Sequence, residues 1–343
     1  MKTFRFKRGL FAPFIVCCLI ALFTAGCSTG GEAKEGAAAQ AGSGDSSTPA
    51  QQEEVRTIQH SMGTAEMKGA PKNIVVLEWT YAEDLIALGI QPKGVADVEG
   101  YKKYVNAQPG LSADVIDVGT RQEPSLELIT SLKPDLIIAE NFRVKDTYEQ
   151  LKAIAPTVVF DNYSKEASQD QYATMENSFR TIADIVGKTE EGEKVLADVQ
   201  ATFDDAKAKL KAAGKEHVKY ALIQGFSNQD AAVMLLYSDN SIAAGALKRA
   251  GFENAYQPNP LPEDGYAQTT VESLVPVQDA NLLYVVQDDD NIIEKQMKNN
   301  AVWNGLHFVK EQQTYSLGGD MWVYGGPLSA KILVDKTVSL LTQ

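Results

Sequence analysis

Gln169 to Gly187 reads QDQYATMENSFRTIADIVG, and this stretch decides the fold. Tyr172, Met175, Phe179, Ile182 and Val186 recur at intervals of three and four, the spacing that gathers apolar side chains on one face of an α-helix. Ser168 and Gln171 have capping-box spacing at its start, and Gly187 supplies a residue that can end it. From Gln169 to Val186 the pattern predicts a helix about 27 Å long, at ~1.5 Å per residue. A second helix follows at once. Thr189 can cap it, Glu190 and Glu191 suit its positive N-terminus, and Val195, Val199, Phe203, Ala206 and Leu210 form its buried stripe before Gly214 stops it.

On either side of this segment the chain alternates between strand-like and helix-like runs. Before it come Ile74 to Leu77, a helix through Ala82 to Leu88, Gly94 to Ala96, a helix from Leu126 to Leu132, and Leu136 to Ala139. After it come Tyr220 to Ile223 and the later strands. The βαβα order implies parallel sheets. The halves also echo each other: Leu126-Glu127, Leu132 and Asp135 to Ile138 correspond to Val271-Glu272, Leu274 and Asn281 to Val286. Leu88-Gly89-Ile90 and Ala250-Gly251-Phe252 each place Gly where a helix ends. The expected fold is therefore α/β, with two Rossmann-like lobes joined by a single long rigid helix. Residues 55–165 form the N-terminal lobe, 166–187 the connecting helix and 188–343 the C-terminal lobe.

The first residues have a different character. Lys2, Arg5, Lys7 and Arg8 precede an apolar run from Leu10 to Phe23, then the small residues Ala25 and Gly26, then Cys27. That is a secretion signal; the run falls short of the ~20 apolar residues of a membrane span. It resembles a bacterial lipoprotein signal, with Thr24 a departure from the commoner Leu, so residues 1–26 are expected to be removed and Cys27 lipidated. Residues 28–54 are Gly, Ala, Ser, Gln and Glu with almost no large apolar side chain, a composition that cannot bury a core. With Cys27 they read as a lipidated, flexible tether, 27–54. Cys17 and Cys18 fall in the signal, so disulfides are not expected in the mature protein.

Beyond the signal 28 basic residues face 45 acidic ones, a charge of −17. Nucleic acid is excluded as a partner, and any anionic ligand must be held by local positive charge. His60, read as part of the tether region, His217 and His307 are too dispersed to ligate a transition metal. G-x-S-x-G and G-x-G-x-x-G are absent, Gly187-Lys188-Thr189 lacks the first Gly of a P-loop, and Asp288 to Asp290 lack calcium-loop spacing. No acid and base pair stands out, so binding fits better than turnover and no cofactor is expected.

In open parallel sheets ligands settle beyond the carboxyl ends of the strands. Those exits carry Trp79 and Tyr81, Arg121, Phe142 and Arg143, Tyr237, Tyr266 in the loop entering Thr269 to Leu274, and Trp322 and Tyr324. Each has a plain structural reading alone; together they point to one ligand surface.

VVLEWTYAEDLIALGIQPKGVAD, VGTRQEPSLELITSLKPDLIIAE, IAPTVVFD and GDMWVYGGPLSA resemble the ferric-siderophore binding lipoproteins of bacterial ABC importers. The resemblance spans nearly everything from Val55 onward and implies a class III periplasmic-binding-protein-like fold. It implies that Arg121 contacts the oxygens around iron, that Tyr266, Trp322 and Tyr324 line the pocket, and that Arg143 matches a basic position of carboxylate-siderophore relatives. Val323, Gly325 and Gly326 stand where such relatives carry further arginines, which favours a hydroxamate ligand. The resemblance also implies that Glu127 and Glu272 each dock onto a permease subunit of a homodimeric or heterodimeric transporter, although acids at helix starts are explained by capping alone. The expected function is a monomeric, lipid-anchored protein on the outer face of the cell membrane, capturing a ferric siderophore without a cofactor. Alternatives are the same scaffold with ferric citrate, haem or a corrinoid and, from another class, a surface metal-handling enzyme or a ligand sensor.

Overall fold

The computed structural model describes residues 55–229 and 231–342; the expected signal, Cys27 and the whole of the expected tether lie outside them. The described chain opens with an antiparallel hairpin of β1 (Val55–His60) and β2 (Gly63–Lys68), in which His60 pairs with Gly63. His60 is thus a strand residue, not part of a tether. Then follow β3 (Ile74–Val76), α1 (Trp79–Ala87), β4 (Gly94–Val95), α2 (Val98–Tyr104), β5 (Ile116–Asp117), α3 (Leu126–Ser131), β6 (Leu136–Glu140), α4 (Asn141–Val144), α5 (Tyr148–Ile154) and β7 (Thr157–Phe160). The sheet order is β5-β4-β3-β6-β7, every pair parallel. Alternation along β3 splits the core. Ile74 and Val76 face α1, whereas Val75 and Leu77 join Ile129 and Leu151 on the other side. Connections leave β3 and β6 in opposite directions, so a crevice opens between their carboxyl ends.

Two helices then cross the molecule. In α6 (Gln171–Ile185), Tyr172 and Met175 enter the core of the second lobe, whereas Phe179, Ile182 and Ile185 enter that of the first. One stripe is therefore shared between two cores, and fully buried Phe179 contributes ~1.5–3 kcal/mol. The expected helix is shorter at both ends. Asp170, rather than Ser168, is its N-cap and accepts from the Ala173 N–H at 3.0 Å; Ser168 is buried in a 3-10 turn, its hydroxyl donating to the Lys165 carbonyl. The next helix, α7 (Thr189–Ala212), returns the chain: Leu196 packs in the first core, then Val199, Phe203, Ala206 and Leu210 in the second. Thr189 begins α7 without a side-chain cap.

The second lobe comprises β8 (Lys219–Asn228), β9 (Ala231–Tyr237), α8 (Ile242–Arg249), β10 (Glu253–Asn254), β11 (Tyr266–Thr269), β12 (Asn281–Val286), α9 (Ala301–Gly305), α10 (His307–Lys310), β13 (Thr314–Ser316) and α11 (Pro327–Leu341). Its sheet order is β11-β9-β8-β12-β13, with β10 beside the start of β8. Here the expectation of parallel strands fails in part: β8 with β9 and β9 with β11 are antiparallel. Only two residues separate β8 from β9, too few for a crossover, and Gln229 takes positive φ in the turn. Val271 to Val277, expected as a short helix feeding the next strand, is a 3-10 helix that buries Val271, Leu274 and Val277 at every third position.

A seam between α1 and α11 also ties the lobes. The Thr80 hydroxyl donates to the Tyr324 carbonyl at 2.8 Å, and Glu83 accepts from the Ser329 N–H at 2.8 Å and hydroxyl at 2.6 Å. Asp84 is fully buried beside them with neither carboxyl oxygen hydrogen-bonded, and burial drives its pKa well up, as it does that of Glu83 more moderately. The approach needs Gly326, where a Cβ would sit 2.4 Å from Asp84 Oδ1.

Candidate functional site

Glu78 lies at the crevice of the first sheet. It caps α1, accepting from the Trp79 N–H at 2.9 Å, and is 7% exposed. From the loop after β5, Arg121 Nη1 donates to Glu78 Oε1 at 2.8 Å; from α4, Arg143 Nε donates to Glu78 Oε2. One carboxylate therefore bridges both arginines. Arg121 lies flat over Trp79, its guanidinium carbon 3.5 Å from the ring centroid. Trp79 is held in turn by indole N–H bonds of 3.1 Å to the Ala96 and Asp97 carbonyls. Arg143 packs over Phe142 at 4.7 Å. Planar guanidinium groups fixed in this way still carry further N–H donors for ligand oxygens.

The opposite wall comes from the second lobe. Trp322 lies edge-on to Trp79 at 5.0 Å and to Tyr324 at 5.1 Å, and Tyr266 reaches Tyr324 at 6.3 Å. Behind them the Tyr237 hydroxyl donates to Tyr324 at 2.6 Å. Between the walls is a cavity of about 490 Å³, lined by Arg121 and Arg143, by Tyr81, Phe142, Tyr163, Tyr266, Trp322 and Tyr324, and by Glu78, Glu140 and Asp264 among others.

Its floor is a buried polar network. The Tyr81 hydroxyl donates to Glu140, which also accepts from the Asn141 and Asn162 N–H groups at 3.2 Å. Burial pushes the Glu140 carboxyl up to about 8, against the opposing pull of these hydrogen bonds. Burial likewise raises the Tyr81 hydroxyl. Among the described residues no group of three or more His, Cys, Asp or Glu is placed to hold a metal ion, and no helix is long and apolar enough to cross a membrane.

A periplasmic binding protein family model matches residues 74–321, most of the chain, and ends just before Trp322. The chain belongs to the periplasmic binding protein family. It is 33% identical over 322 residues to the Fe(3+)-citrate-binding protein YfmC of Bacillus subtilis, covering 94% of this chain and 93% of that protein. It is 30% identical over 260 residues to the iron(3+)-hydroxamate-binding protein FhuD of Escherichia coli, covering 76% and 83%. In structure it resembles Fe3+–Desferal-bound FhuD of Vibrio cholerae, with a TM-score of 0.71 at 30% identity over 79% of this chain and 98% of that one. As a member of this family it is a binding protein, not an enzyme.

Within this periplasmic binding protein, Arg121, Arg143, Tyr81, Tyr266, Trp322 and Tyr324 line this cavity together. Trp79 and Tyr237, expected at the ligand surface, are 2% and 0% exposed and do not line it. Both stand one layer back, Trp79 beneath Arg121 and Tyr237 beneath Tyr324, because the ends of their elements are covered by those residues. Tyr266 is not in a loop but begins β11, paired with Tyr237. Glu127 and Glu272 are exposed, in the first turns of α3 and of the 3-10 helix. The Thr270 hydroxyl, 2.5 Å away, holds the Glu272 carboxyl below its ordinary range. Glu78 escaped the reading of the sequence because arginines and rings alone were sought at strand exits. It too follows a strand, immediately before Trp79, and the same rule could have found it.

Proposed function

We propose that this chain is an extracytoplasmic solute-binding protein, anchored by lipid on Cys27, that captures a ferric siderophore of the hydroxamate type and passes it to an ABC permease. Residues 27–54 would serve as its tether, 55–165 and 188–343 as its lobes and 166–187 as the link. The observation that carries the reading is the convergence of Arg121 and Arg143 from one lobe with Tyr266, Trp322 and Tyr324 from the other on a single cavity. Such walls suit a cargo that brings its own iron ligands: rings cover its apolar rim, and guanidinium groups donate to oxygens already wrapped around the metal. Glu127 and Glu272, exposed one per lobe, would meet the two permease subunits, and the protein would act as a monomer.

Trp322 lines the cavity and Trp79 packs against Trp322 from behind, so an iron chelate bound there should quench tryptophan fluorescence. Titration with a panel of chelators should show saturable quenching by an iron-loaded hydroxamate and weaker or no quenching by its iron-free form. Indifference to every iron-loaded chelator would remove the proposal. Ferric citrate is the second reading, favoured by the 33% identity to YfmC over 94% of the chain.

A further inference from the structure

We infer that Glu78 is a specificity-determining residue: as a built-in counter-ion shared by Arg121 and Arg143, it sets the cleft to accept ferric chelates without net negative charge and to discriminate against anionic ones. The inference rests on the ferric-chelate reading above and deepens it.

Glu78 lies within the arginine pair, accepting from each guanidinium on a separate oxygen. Three features keep it there. Its side chain is 9% exposed, Oε1 also accepts from the Trp79 N–H, and Arg121 is itself pinned flat on Trp79. A ligand oxyanion therefore cannot displace this carboxylate cheaply, and it enters a site where one of the two positive charges is already matched. Asp97 lies 3.9 Å from Arg121 Nε, and Asp264 adds a further carboxylate to the cavity lining, so the charge of the two arginines is offset before any ligand arrives. Burial raises the Glu140 carboxyl and so favours its neutral form. The overall excess of acidic residues is no help to an anion either.

What the site retains is hydrogen bonding. Glu78 uses one N–H of each arginine, and a guanidinium has five. The remaining donors can meet chelate oxygens while the net charge stays balanced. A ferric trihydroxamate, whose three hydroxamates cancel the charge of iron, suits that arrangement. A ferric citrate complex carries surplus carboxylates that would lie against Glu78 and Asp264, and such like-charge contacts reject wrong partners.

The test compares Fe3+–Desferal with ferric citrate, by fluorescence quenching and calorimetry, on the wild-type chain, Glu78→Gln and Glu78→Asp. Gln removes the charge and keeps one acceptor oxygen for the Trp79 N–H and Arg121, while its amide NH2 replaces the oxygen that accepts from Arg143. Relative affinity should move toward ferric citrate by about tenfold or more in Glu78→Gln, whereas Glu78→Asp, which keeps the charge, should stay near the wild-type ratio. An unchanged ratio in a folded Glu78→Gln protein overturns the inference. Wild-type binding decides the matter without any variant: preference for Fe3+–Desferal is expected, and preference for ferric citrate overturns the inference while leaving ferric-chelate capture standing. Binding of neither chelate overturns both.

Discussion

Replacing Arg121 by Ala tests the site most directly, because the structure separates its effect on binding from its effect on folding. In the protein Arg121 pairs with Glu78 at 2.8 Å and, more loosely, with half-exposed Asp97 at 3.9 Å, and it sits over the Trp79 ring at 3.5 Å. Removing one partner of a buried pair is severe when it leaves an uncompensated charge. Here Glu78 keeps Arg143 and the Trp79 N–H, so the carboxylate is not orphaned. The stability loss should then be near the value of the cation–π contact, ~0.5–2 kcal/mol. That is a fall in Tm of a few degrees, at about 2–4 °C per kcal/mol for chains of somewhat smaller size. Binding loses a charge-assisted donor to the chelate, ~1.5–3 kcal/mol, or roughly tenfold to a little over a hundredfold in Kd. Arg121→Lys should recover only part of this, since an ammonium neither stacks on Trp79 in the same way nor presents a planar fork. Fluorescence titration with Fe3+–Desferal, alongside thermal unfolding of the same samples, gives both quantities. A folded Arg121→Ala protein with wild-type affinity would show that the ligand does not use this side of the cavity.

Further outcomes follow from other parts of the molecule. Charge reversal at both Glu127 and Glu272 should abolish import in cells but leave chelate affinity unchanged in vitro; normal import would return both residues to simple capping. Gly326→Ala drives a methyl to within 2.4 Å of Asp84 Oδ1 and should destabilise by ~1–3 kcal/mol, read from the urea midpoint; an unchanged midpoint would mean the α1–α11 seam yields easily. Glu140 holds its proton in the folded chain up to about pH 8 but releases it when unfolded near its ordinary 4.5, so its contribution to stability declines as pH rises through that window. Glu83 and Asp84, raised in the same sense, add to the decline. Glu140→Gln should make the slope shallower, and an identical pH profile for the variant would contradict this.

Much of the architecture was legible because it rests on local periodicity. The stripe from Tyr172 to Val186 announced a helix between halves, and Gly89 and Gly251 ended helices with positive φ as their positions implied. What periodicity could not show is that this stripe divides between two cores, since Tyr172 and Phe179 look alike in one dimension. The strand-exit rule brought Arg121, Arg143, Tyr266, Trp322 and Tyr324 to one place. It could not separate layers: Trp79 and Tyr237 leave strands as Trp322 and Tyr324 do, but are covered by side chains from loops distant in sequence. Antiparallel pairing of β8 with β9 was visible in principle from the two-residue gap between them, but the expectation of βαβ units masked it. The link between Glu78 and its two arginines joins residues 43 and 65 positions apart, beyond any local pattern.

The buried seam between α1 and α11 has a consequence for traffic at the transporter. Pinned by Thr80, Glu83 and Gly326, the jaws have little room to swing, so loaded and empty molecules would show a permease nearly the same outer face. If docking runs through Glu127 and Glu272, unloaded copies would queue for the same berth as loaded ones. Throughput would then fall as the number of anchored copies outgrows the supply of iron.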